Sequence, residues 1–335
     1  MQILFLYKEE WEKDYISSKL TDSNLQLTFA QSLEEVGQEK LNDIEILSLF
    51  VSHQCKQVEL DKLPNLKLIA ARSTGFDYVD IPLARSRGIE VVYVPSYGES
   101  TVAEFAFALL LSLSRKVPEA HKQVTETGSF LQENLRGFDL CGKTMGIIGT
   151  GRIGCNVIKM AKGFNMNVVA YDPFPKQGLD QELGFRYAGF EETLSVSDIV
   201  SLHAPLMEST KHMINDGSIY HIKRGAVLIN TARGGLVQTS SLIKALEEGI
   251  ISAAGLDVLE EEGDMQDEMK ILSGDSTKID ELKNVLANNY LINHPRVIVT
   301  PHIAYNSNEA VERILDTTAN NIISFINGEV KNRVP

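Results

Sequence analysis

The chain has 335 residues, of which 43% are hydrophobic and 23% are charged, and its formal net charge is −13. That composition is typical of a globular protein, and the length exceeds what one ordinary hydrophobic core supports, so we expect two domains. The acidic balance argues against a general nucleic-acid or anionic-membrane surface, and an anionic substrate would need a local cationic pocket.

The start of the chain is a short apolar run at residues 3–7 followed at once by charges, without the pattern of a signal peptide. The longest apolar run, Val102–Leu113, is shorter than the roughly 20 residues of a membrane span and is interpreted as a buried or interface helix. Cys55, Cys141 and Cys155 form no CxxC pair. Such cysteines favour a reducing cytoplasm and make a structural zinc site unexpected.

Before residue 99 the sequence alternates apolar, β-rich runs with polar helical segments, which is the rhythm of a parallel α/β sheet. The predicted strands of this part are Ile3–Tyr7, Ile44–Phe50, Leu66–Ala71 and Ile89–Val94. A helix predicted over Glu99–Val117 is apolar on nearly every face, which favours burial between domains or subunits. We place the first crossover between domains at this helix.

A glycine-rich motif occupies the stretch Met145–Pro173, where a strand, a turn, a helix, a second strand and an acidic residue follow one another. In the turn, Gly149 permits tight curvature, Gly151 lets the backbone approach a pyrophosphate, and Gly154 lets the helix pack close to the strand. The helix N-terminus offers N–H groups to the phosphates. At the end of the second strand, Asp172 can accept hydrogen bonds from a ribose diol, which favours NAD over NADP.

The rest of the chain continues the alternation and predicts a second, larger doubly wound sheet. Its further strands are Asn167–Asp172, Asp198–Ala204, Ala226–Thr231, Ile251–Val258 and Val297–Thr300. The acidic stretch Asp264–Ile292 is interpreted as a surface excursion with one or two short helices. A last helix from about Asn308 to Ile326, ended by Gly328, has no sheet of its own to cover and could return to the first domain.

The predicted fold is therefore α/β, with two doubly wound parallel-sheet domains. A Rossmann NAD-binding domain of residues 99–300 is inserted into a discontinuous, flavodoxin-like substrate domain of residues 1–98 and 301–335.

Three side chains that follow strand ends could perform chemistry, because ligands of open α/β sheets bind beyond the carboxyl ends of the strands. Arg233 follows AVLINTA, Glu262 follows GLDVLEE, and His302 follows VIVTP. A guanidinium can bind a carboxylate with two hydrogen bonds, and a histidine can donate a proton to a carbonyl oxygen. A carboxylate beside that histidine raises its pKa. Together these groups suit the reduction of a 2-keto acid.

Each residue also has a structural interpretation. Arg233 in an Arg-Gly-Gly turn could be solvated, Glu262 belongs to an acidic run that begins at Glu260, and a lone histidine such as His302 is often structural. Their joint position at three strand ends downstream of a dinucleotide motif favours the functional interpretation.

Several further segments carry a family resemblance. They are residues 72–77 (RSTGFD), 102–105 (VAEF), 201–205 (SLHAP), 230–234 (NTARG), 255–258 (GLDV) and 300–302 (TPH). With the glycine motif, they resemble the NAD-dependent D-isomer-specific 2-hydroxyacid dehydrogenases, which include D-lactate dehydrogenases, glyoxylate/hydroxypyruvate reductases and phosphoglycerate dehydrogenases. The resemblance implies a cytoplasmic enzyme that uses NADH to reduce a 2-keto acid to a D-2-hydroxy acid, and D-lactate dehydrogenase is the member it favours.

The resemblance also implies the catalytic roles. Arg233 would orient the substrate carboxylate and carbonyl, His302 would be the general acid and base, and Glu262 would hold and charge His302. Backbone N–H groups of Thr74 and Gly75 would bind the substrate carboxylate from the other domain, which implies an active site in the cleft between domains.

Cofactor contacts follow from the same resemblance. Arg152 and Ile153 would lie on the pyrophosphate, and Asp257 would face the nicotinamide ring. The nicotinamide side would be lined by His203, Ala204, Pro205, Thr231 and Ala232.

The substrate pocket is less clearly marked. Tyr97 resembles a pocket tyrosine of D-lactate dehydrogenases, although the Ser-Pro that usually follows is missing. By position Phe50, Phe76 and Tyr305 are pocket walls, with a role in the core as the alternative. Apolar walls suit pyruvate or a larger 2-keto acid better than a phosphorylated one.

Two other functions stay open at this level. One is an NAD-sensing binding protein, as in the related C-terminal-binding corepressors, and the other is a dehydrogenase of an unusual small anion such as phosphite. A homodimer is expected because the helix Glu99–Val117 looks too apolar to be left in water.

Overall fold

The computed structural model of the protein describes residues 1–260 and 279–335. The chain forms two compact units. The first contains residues 1–98 and 306–335, and the second contains residues 99–305.

The chain returns to the first unit at residue 306, whereas the sequence predicts the return at residue 301. The segment between these positions is bonded to Asp257 of the second unit. The backbone N–H of His302 donates to the Asp257 carbonyl at 2.9 Å. The N–H groups of Ile303 and Ala304 donate to the Asp257 carboxylate at 2.9 and 2.7 Å.

The first unit is built on a sheet of five parallel strands. They are β1 (Gln2–Leu6), β2 (Gln26–Ala30), β3 (Ile46–Leu49), β4 (Leu68–Ala71) and β5 (Glu90–Val92). The strand order β2-β1-β3-β4-β5 is the flavodoxin-like order. The helices before residue 99 are α1 (Trp11–Lys19), α2 (Gln38–Asn42), α3 (Gln57–Asp61) and α4 (Ile81–Ser86).

Strand β2 was missed by the sequence prediction. It is one of the two edge strands, and among the described residues it pairs with β1 alone. Two of its five residues, Thr28 and Ala30, are buried. Such a strand lacks the continuous apolar run of a buried parallel strand, which is the signal that found its neighbours.

The C-terminal helix runs over Asn308–Ile326, as predicted, and belongs to the first unit. Ser307 caps it by accepting a hydrogen bond from the Ala310 N–H at 3.2 Å. Its buried Leu315 and Ile322 share a core with strand residues of β1, β3, β4 and β5. This face covers one side of the five-stranded sheet, and the first unit is therefore discontinuous in sequence, as predicted.

The second unit contains a seven-stranded parallel sheet. Its strands are β6 (Thr144–Ile148), β7 (Asn167–Tyr171), β8 (Arg186–Tyr187), β9 (Ile199–Leu202), β10 (Ala226–Asn230), β11 (Ile251–Leu256) and β12 (Val297–Val299). The order β12-β11-β10-β9-β6-β7-β8 reverses at β6, as in a Rossmann fold extended by one strand. The predicted Rossmann domain is confirmed.

The described part of this unit contains seven α-helices. They are α5 (Glu99–Arg115), α6 (Val117–Thr127), α7 (Arg152–Gly163), α8 (Leu179–Leu183), α9 (Phe190–Val196), α10 (Thr239–Glu247) and α11 (Ile279–Ile292). Of the predicted excursion Asp264–Ile292, residues 264–278 lie outside the described part, and α11 forms its end. In the described ranges no helix is long and apolar enough to cross a membrane.

Helix α5 is apolar because its own unit buries it. A Cβ atom added at Gly255 on β11 would lie 3.0 Å from the Leu109 side chain and 3.4 Å from that of Leu113, so helix and strand are in close contact. Exposed apolar side chains occur after α5 instead. Val117 is 56% exposed, and Phe130 is 83% exposed. The apolar character of α5 is therefore explained within its own unit and gives no reason to expect a dimer.

Candidate active site

The glycine turn after β6 has the shape that a pyrophosphate requires. Gly149 has φ +100°, and a Cβ there would lie 2.8 Å from the His203 carbonyl oxygen. A Cβ at Gly154 would lie 2.0 Å from the Gly149 carbonyl oxygen. Among the described residues, no atom would lie within 4 Å of a Cβ at Gly151, and no side chain caps the first turn of α7. The described turn thus fits a bound phosphate group at the N-terminus of α7.

Arg152 and Ile153 are the first residues of α7. Arg152 is exposed, and its Nη1 lies 3.5 Å from Glu99 Oε1. Both residues therefore lie beside the open glycine turn, as expected of residues near the phosphates.

Asp172 follows β7, and backbone and side-chain donors hold its carboxylate. Its Oδ2 accepts from the backbone N–H and the hydroxyl of Thr150, each at 2.8 Å, and its Oδ1 accepts from the Phe174 N–H at 2.9 Å. A carboxylate with remaining acceptor capacity beside the phosphate-binding turn fits an adenosine ribose.

His203 follows β9 and lies next to the glycine turn. Its backbone N–H donates to the Ile148 carbonyl at 2.8 Å, and its Nε2 hydrogen-bonds the Ser201 hydroxyl at 2.8 Å. Burial lowers the pKa of His203 to about 4, so the ring is neutral at pH 7. Ala204 and Pro205 continue from it along the same loop.

The turn that carries Arg233 is held by the buried side chain of Asn230. The Asn230 amide donates to the Arg233 carbonyl at 2.9 Å and accepts from the Ala232 N–H at 3.0 Å. Thr231, also in this turn, is buried. The Arg233 guanidinium donates to the Ala232 carbonyl at 2.8 Å. These bonds fix the direction in which the chain leaves β10.

Gly234 is required beside Arg233 because of a close backbone approach. A Cβ at this position would lie 1.9 Å from the Leu259 carbonyl oxygen, which no side chain tolerates. The Arg-Gly pair, ambiguous as a sequence motif, is therefore packed against the segment that follows β11.

His302 lies in a left-handed turn after β12, with φ +54°. Its N–H donates to the carbonyl oxygens of Asp257 and Thr300 at 2.9 and 3.0 Å. Positive φ is uncommon for a side-chain-bearing residue and is maintained only where surrounding bonds enforce it. The turn thus fixes the backbone of His302, and with it the point from which the side chain leaves the chain.

Asp257 is fully buried and supports this turn. Besides the Ile303 and Ala304 N–H groups, its carboxylate accepts from the Thr300 hydroxyl at 2.6 Å. Burial raises the pKa of Asp257, and these hydrogen bonds oppose the rise. The resemblance implied that Asp257 faces the nicotinamide, and that contact stays a prediction.

Glu262 lies outside the described residues, but the described Glu260 shows how the chain leading to it is held. One Glu260 oxygen contacts His212 Nε2. The other accepts from the N–H and hydroxyl of Thr239 at 3.1 and 2.9 Å. The Asn288 amide donates to the Glu260 carbonyl at 2.8 Å. The first carboxylate of the acidic run is therefore held by protein donors and is not a solvated surface charge.

In the first unit, Thr74 and Gly75 lie in a loop after β4 that is held by side-chain hydrogen bonds. The Thr74 hydroxyl donates to the Val94 carbonyl at 2.9 Å. The Ser73 hydroxyl contacts the Gly75 carbonyl and the Tyr78 hydroxyl, each at 2.6 Å. The loop is thus held by its own side chains.

The remaining pocket candidates are distributed over both units. In the first, Phe76 packs edge-on against Tyr93 with centroids 5.6 Å apart, and the Tyr97 carbonyl accepts from Arg313 Nε at 2.6 Å. Phe50 is buried, with the Arg72 guanidinium carbon 5.7 Å from its ring. Tyr305, in the second unit, is also buried.

Sequence reasoning missed the residues that hold the candidate side chains. They are Thr150 for Asp172, Ser201 for His203, Asn230 for Arg233, Thr300 for Asp257, and His212 with Thr239 for Glu260. The only sequence signal is a small polar residue next to a strand end, which most turns also carry. Among the described residues, no group of three or more potential metal ligands occurs.

Comparison with known proteins agrees with this geometry. A family profile described as "D-isomer specific 2-hydroxyacid dehydrogenase, NAD binding domain" matches residues 107–304. A glyoxylate reductase of Thermococcus litoralis is 38% identical over 299 residues, which are 87% of this chain and 83% of the relative. A D-lactate dehydrogenase of Escherichia coli is 32% identical over 332 residues, 98% of each chain.

A solved structure of D-lactate dehydrogenase from Aquifex aeolicus, complexed with NAD and lactic acid, is also similar. It has a TM-score of 0.84 and 32% identity, and the match covers 98% of this chain and 96% of that one. The chain belongs to the D-isomer-specific 2-hydroxyacid dehydrogenase family. It is an oxidoreductase that uses NAD as its cofactor.

Proposed function

We propose that the enzyme reduces pyruvate to D-lactate. The observation that carries the proposal is the end-to-end alignment with the Escherichia coli D-lactate dehydrogenase, which covers 98% of both chains. The similar Aquifex aeolicus structure, crystallised with lactic acid, supports the same substrate.

In this proposal the second unit supplies the proton and the cationic group. Arg233 binds the carboxylate and the carbonyl oxygen of the substrate, because a guanidinium can donate two parallel hydrogen bonds. The His302 imidazolium donates its proton to the carbonyl oxygen, and the neutral ring takes a proton back in the reverse direction. Glu262, by the resemblance, holds His302 and favours its charged form.

The cofactor is held by residues of the same unit. When bound, NADH supplies the hydride that reduces the substrate carbonyl carbon. The turn Gly149–Gly154 holds the phosphates with Arg152 and Ile153, and Asp172 holds the adenosine ribose. The nicotinamide side is assigned to His203, Ala204, Pro205, Thr231 and Ala232. Asp257 is assigned to face the nicotinamide ring, and it also supports the turn that carries His302.

Residues of the first unit are assigned to substrate recognition. Thr74 and Gly75 provide backbone N–H groups for the carboxylate. The walls of the pocket are assigned to Phe50, Phe76, Tyr97 and Tyr305. Aromatic walls favour a small apolar group on the keto acid, such as the methyl group of pyruvate, over a phosphorylated substituent.

Glyoxylate is the second candidate substrate. It is favoured by the 38% identity to the Thermococcus litoralis glyoxylate reductase, although that match covers 87% of this chain. Glyoxylate carries a hydrogen where pyruvate carries a methyl group, so the two substrates report on whether the pocket binds that methyl.

A panel of 2-keto acids tests the proposal. NADH oxidation would be followed with pyruvate, glyoxylate, hydroxypyruvate, 2-ketoisocaproate and phenylpyruvate, and kcat/KM compared. We expect pyruvate to rank first, because burying a methyl group contributes about 1 kcal/mol, which corresponds to several-fold in kcat/KM. A higher value for glyoxylate would transfer the proposal to glyoxylate reduction.

We also propose a homodimer that works in the cytoplasm. Helix α6 has no buried residue, and the chain around it exposes Val117, Val124, Phe130 and Leu131. A second copy of the chain could cover these side chains. The three cysteines are free thiols, as is usual in reducing compartments. A monomer at micromolar concentration in light scattering would contradict the dimer.

A further inference from the structure

Asp172 receives the last bond of a chain of hydrogen bonds that starts at the backbone after β7. The Lys176 N–H donates to the Tyr187 hydroxyl oxygen at 3.3 Å. Tyr187 lies 3.0 Å from the Thr150 hydroxyl oxygen, and Thr150 lies 2.8 Å from Asp172 Oδ2. The chain links β8, the glycine turn and the acidic residue at the end of β7.

The direction of each bond follows from the groups involved. An ionised carboxylate has no proton to give, so the Thr150 hydroxyl proton points to Asp172. That hydroxyl has no second proton, and the proton between Thr150 and Tyr187 therefore comes from Tyr187. The Tyr187 oxygen is then free to accept from Lys176. All donors point toward the carboxylate, an arrangement in which successive bonds strengthen one another.

The carboxylate is fixed more firmly than a surface aspartate. Three donors engage it, namely the N–H and hydroxyl of Thr150 and the N–H of Phe174, out of about four acceptor positions on such a group. Thr150 is buried, with 1% of its surface exposed. Rotating Asp172 aside would break all three bonds, and the remaining acceptor capacity lies on Oδ1.

We propose that the Thr150–Tyr187 pair determines the preference for NAD over NADP. It does so by fixing the Asp172 carboxylate, and the inference rests on the proposed role of Asp172 at the adenosine ribose. A carboxylate that can turn away would tolerate a 2′-phosphate at modest cost. A carboxylate held in place by three donors keeps both its charge and its position, and so excludes the phosphate. Thr150 and Tyr187 are thus positioning residues that act through Asp172.

A purely structural role would have a different signature. If the hydrogen bonds only joined β8 to the glycine turn, losing them would lower the stability of the unit and weaken NADH and NADPH binding by the same factor. The ratio of the two dissociation constants separates the two roles, and it can be measured without turnover or substrate.

The test is calorimetric titration of NADH and NADPH into the full chain. Thr150→Val keeps the backbone N–H and the volume but removes the hydroxyl, Thr150→Ser keeps the hydroxyl, and Tyr187→Phe removes only the next hydroxyl. We expect the ratio Kd(NADPH)/Kd(NADH) to fall about tenfold in Thr150→Val, as for loss of one hydrogen bond to a charged group. It should fall less in Tyr187→Phe and stay near the wild-type value in Thr150→Ser.

Matched controls come from the same unit. Thr193→Val removes a buried hydroxyl that donates to the Gly189 carbonyl at 2.9 Å, and Tyr290→Phe removes an exposed hydroxyl bonded to Glu247 at 2.6 Å. Neither should change the ratio. An unchanged ratio in both Thr150→Val and Tyr187→Phe would overturn the inference, as would an equal change in Thr193→Val.

Asp172→Asn separates this inference from the proposed function. If Asp172→Asn lowers the ratio while the Thr150 and Tyr187 variants leave it unchanged, Asp172 keeps its role and only the positioning pair is wrong. If Asp172→Asn leaves the ratio unchanged, the ribose role of Asp172 is wrong and the inference fails with it. If a thermal melt shows that Thr150→Val does not fold, the ratio Kd(NADPH)/Kd(NADH) of Tyr187→Phe decides the test. That substitution removes one hydroxyl from a half-buried ring.

Discussion

The His302 N–H donates to the Asp257 carbonyl at 2.9 Å, while the Asp257 carboxylate accepts from the N–H groups of the two residues after His302. One buried residue thus holds the left-handed turn that carries the proposed acid and base. His302 has φ +54°, a conformation that costs on the order of 1 kcal/mol and needs such support.

Replacing Asp257 by Asn should therefore lower kcat. An amide presents N–H where the turn needs an acceptor, so the His302 ring loses its fixed position. We expect about a tenfold to hundredfold decrease, as for loss of hydrogen bonds to a charged group, with the NADH dissociation constant nearly unchanged. Stopped-flow kinetics would measure kcat, and calorimetry would measure the NADH dissociation constant.

If NADH affinity falls as much as kcat, Asp257 acts on the cofactor, as the resemblance implied. Asp216→Asn, which alters an exposed carboxylate bonded to Ser241, is the control.

Arg233→Ala should mainly weaken substrate handling. Removing a guanidinium from a substrate carboxylate costs about 3 kcal/mol, or roughly a hundredfold in kcat/KM, and raises the KM for pyruvate. NADH affinity should barely change. Arg224→Ala provides the comparison, since Arg224 in the same unit donates to the Glu248 carbonyl at 2.6 Å. An equal loss of NADH binding in Arg233→Ala would make Arg233 a structural residue of the turn.

His203 should make the fold sensitive to acid. Its folded pKa is lowered to about 4 by burial, whereas an unfolded histidine titrates near pH 6.5. Stability is therefore fully present above pH 6.5 and decreases as pH falls toward 4, because the unfolded state takes up the proton first. The slope contributed by His203 is about 1.4 kcal/mol per pH unit in that window. Urea unfolding would measure the free energy of unfolding at pH 7 and at pH 5. This free energy should decrease less between the two pH values in His203→Asn than in wild type. Equal decreases would contradict the proposed effect of His203.

Glu260→Gln should destabilise the second unit. The carboxylate accepts from Thr239 and contacts His212, and an amide cannot satisfy all of these donors, so we expect a loss of about 1–3 kcal/mol in the free energy of unfolding. Glu247→Gln is the matched variant, because Glu247 also contacts a histidine, His294 at 3.6 Å, but is 58% exposed. Equal losses in the free energy of unfolding for the two substitutions would show that the contacts of Glu260 stabilise the unit no more than those of an exposed glutamate.

Much of the fold could be predicted from the sequence because buried parallel strands read as continuous apolar runs. Strands β1, β3 and β6 were found in this way, and the glycine turn with Asp172 predicts a dinucleotide site. Strand β2 was missed because only two of its five residues are buried, and β8 was missed because it has only two residues, so neither has a continuous apolar run.

The candidate site was predicted only at its chemically distinctive residues. Arg233 and His302 stand out because a cation or an imidazole at a strand end suits a reaction. Thr150, Asn230 and Thr300, which hold such groups, are common turn residues, and their partners are distant in sequence. The contacts of Glu260 could not be predicted either, because nothing local in the sequence shows that His212, 48 residues earlier, lies against its carboxylate.

The stereochemistry of the reverse reaction tests the central claim most directly. NAD reduction would be followed at alkaline pH with D-lactate and with L-lactate as the only substrate. We predict saturable turnover with D-lactate and none with L-lactate, and His302→Asn should abolish the activity with D-lactate. Turnover with L-lactate, or none with either enantiomer in an enzyme that binds NADH tightly, would contradict the account.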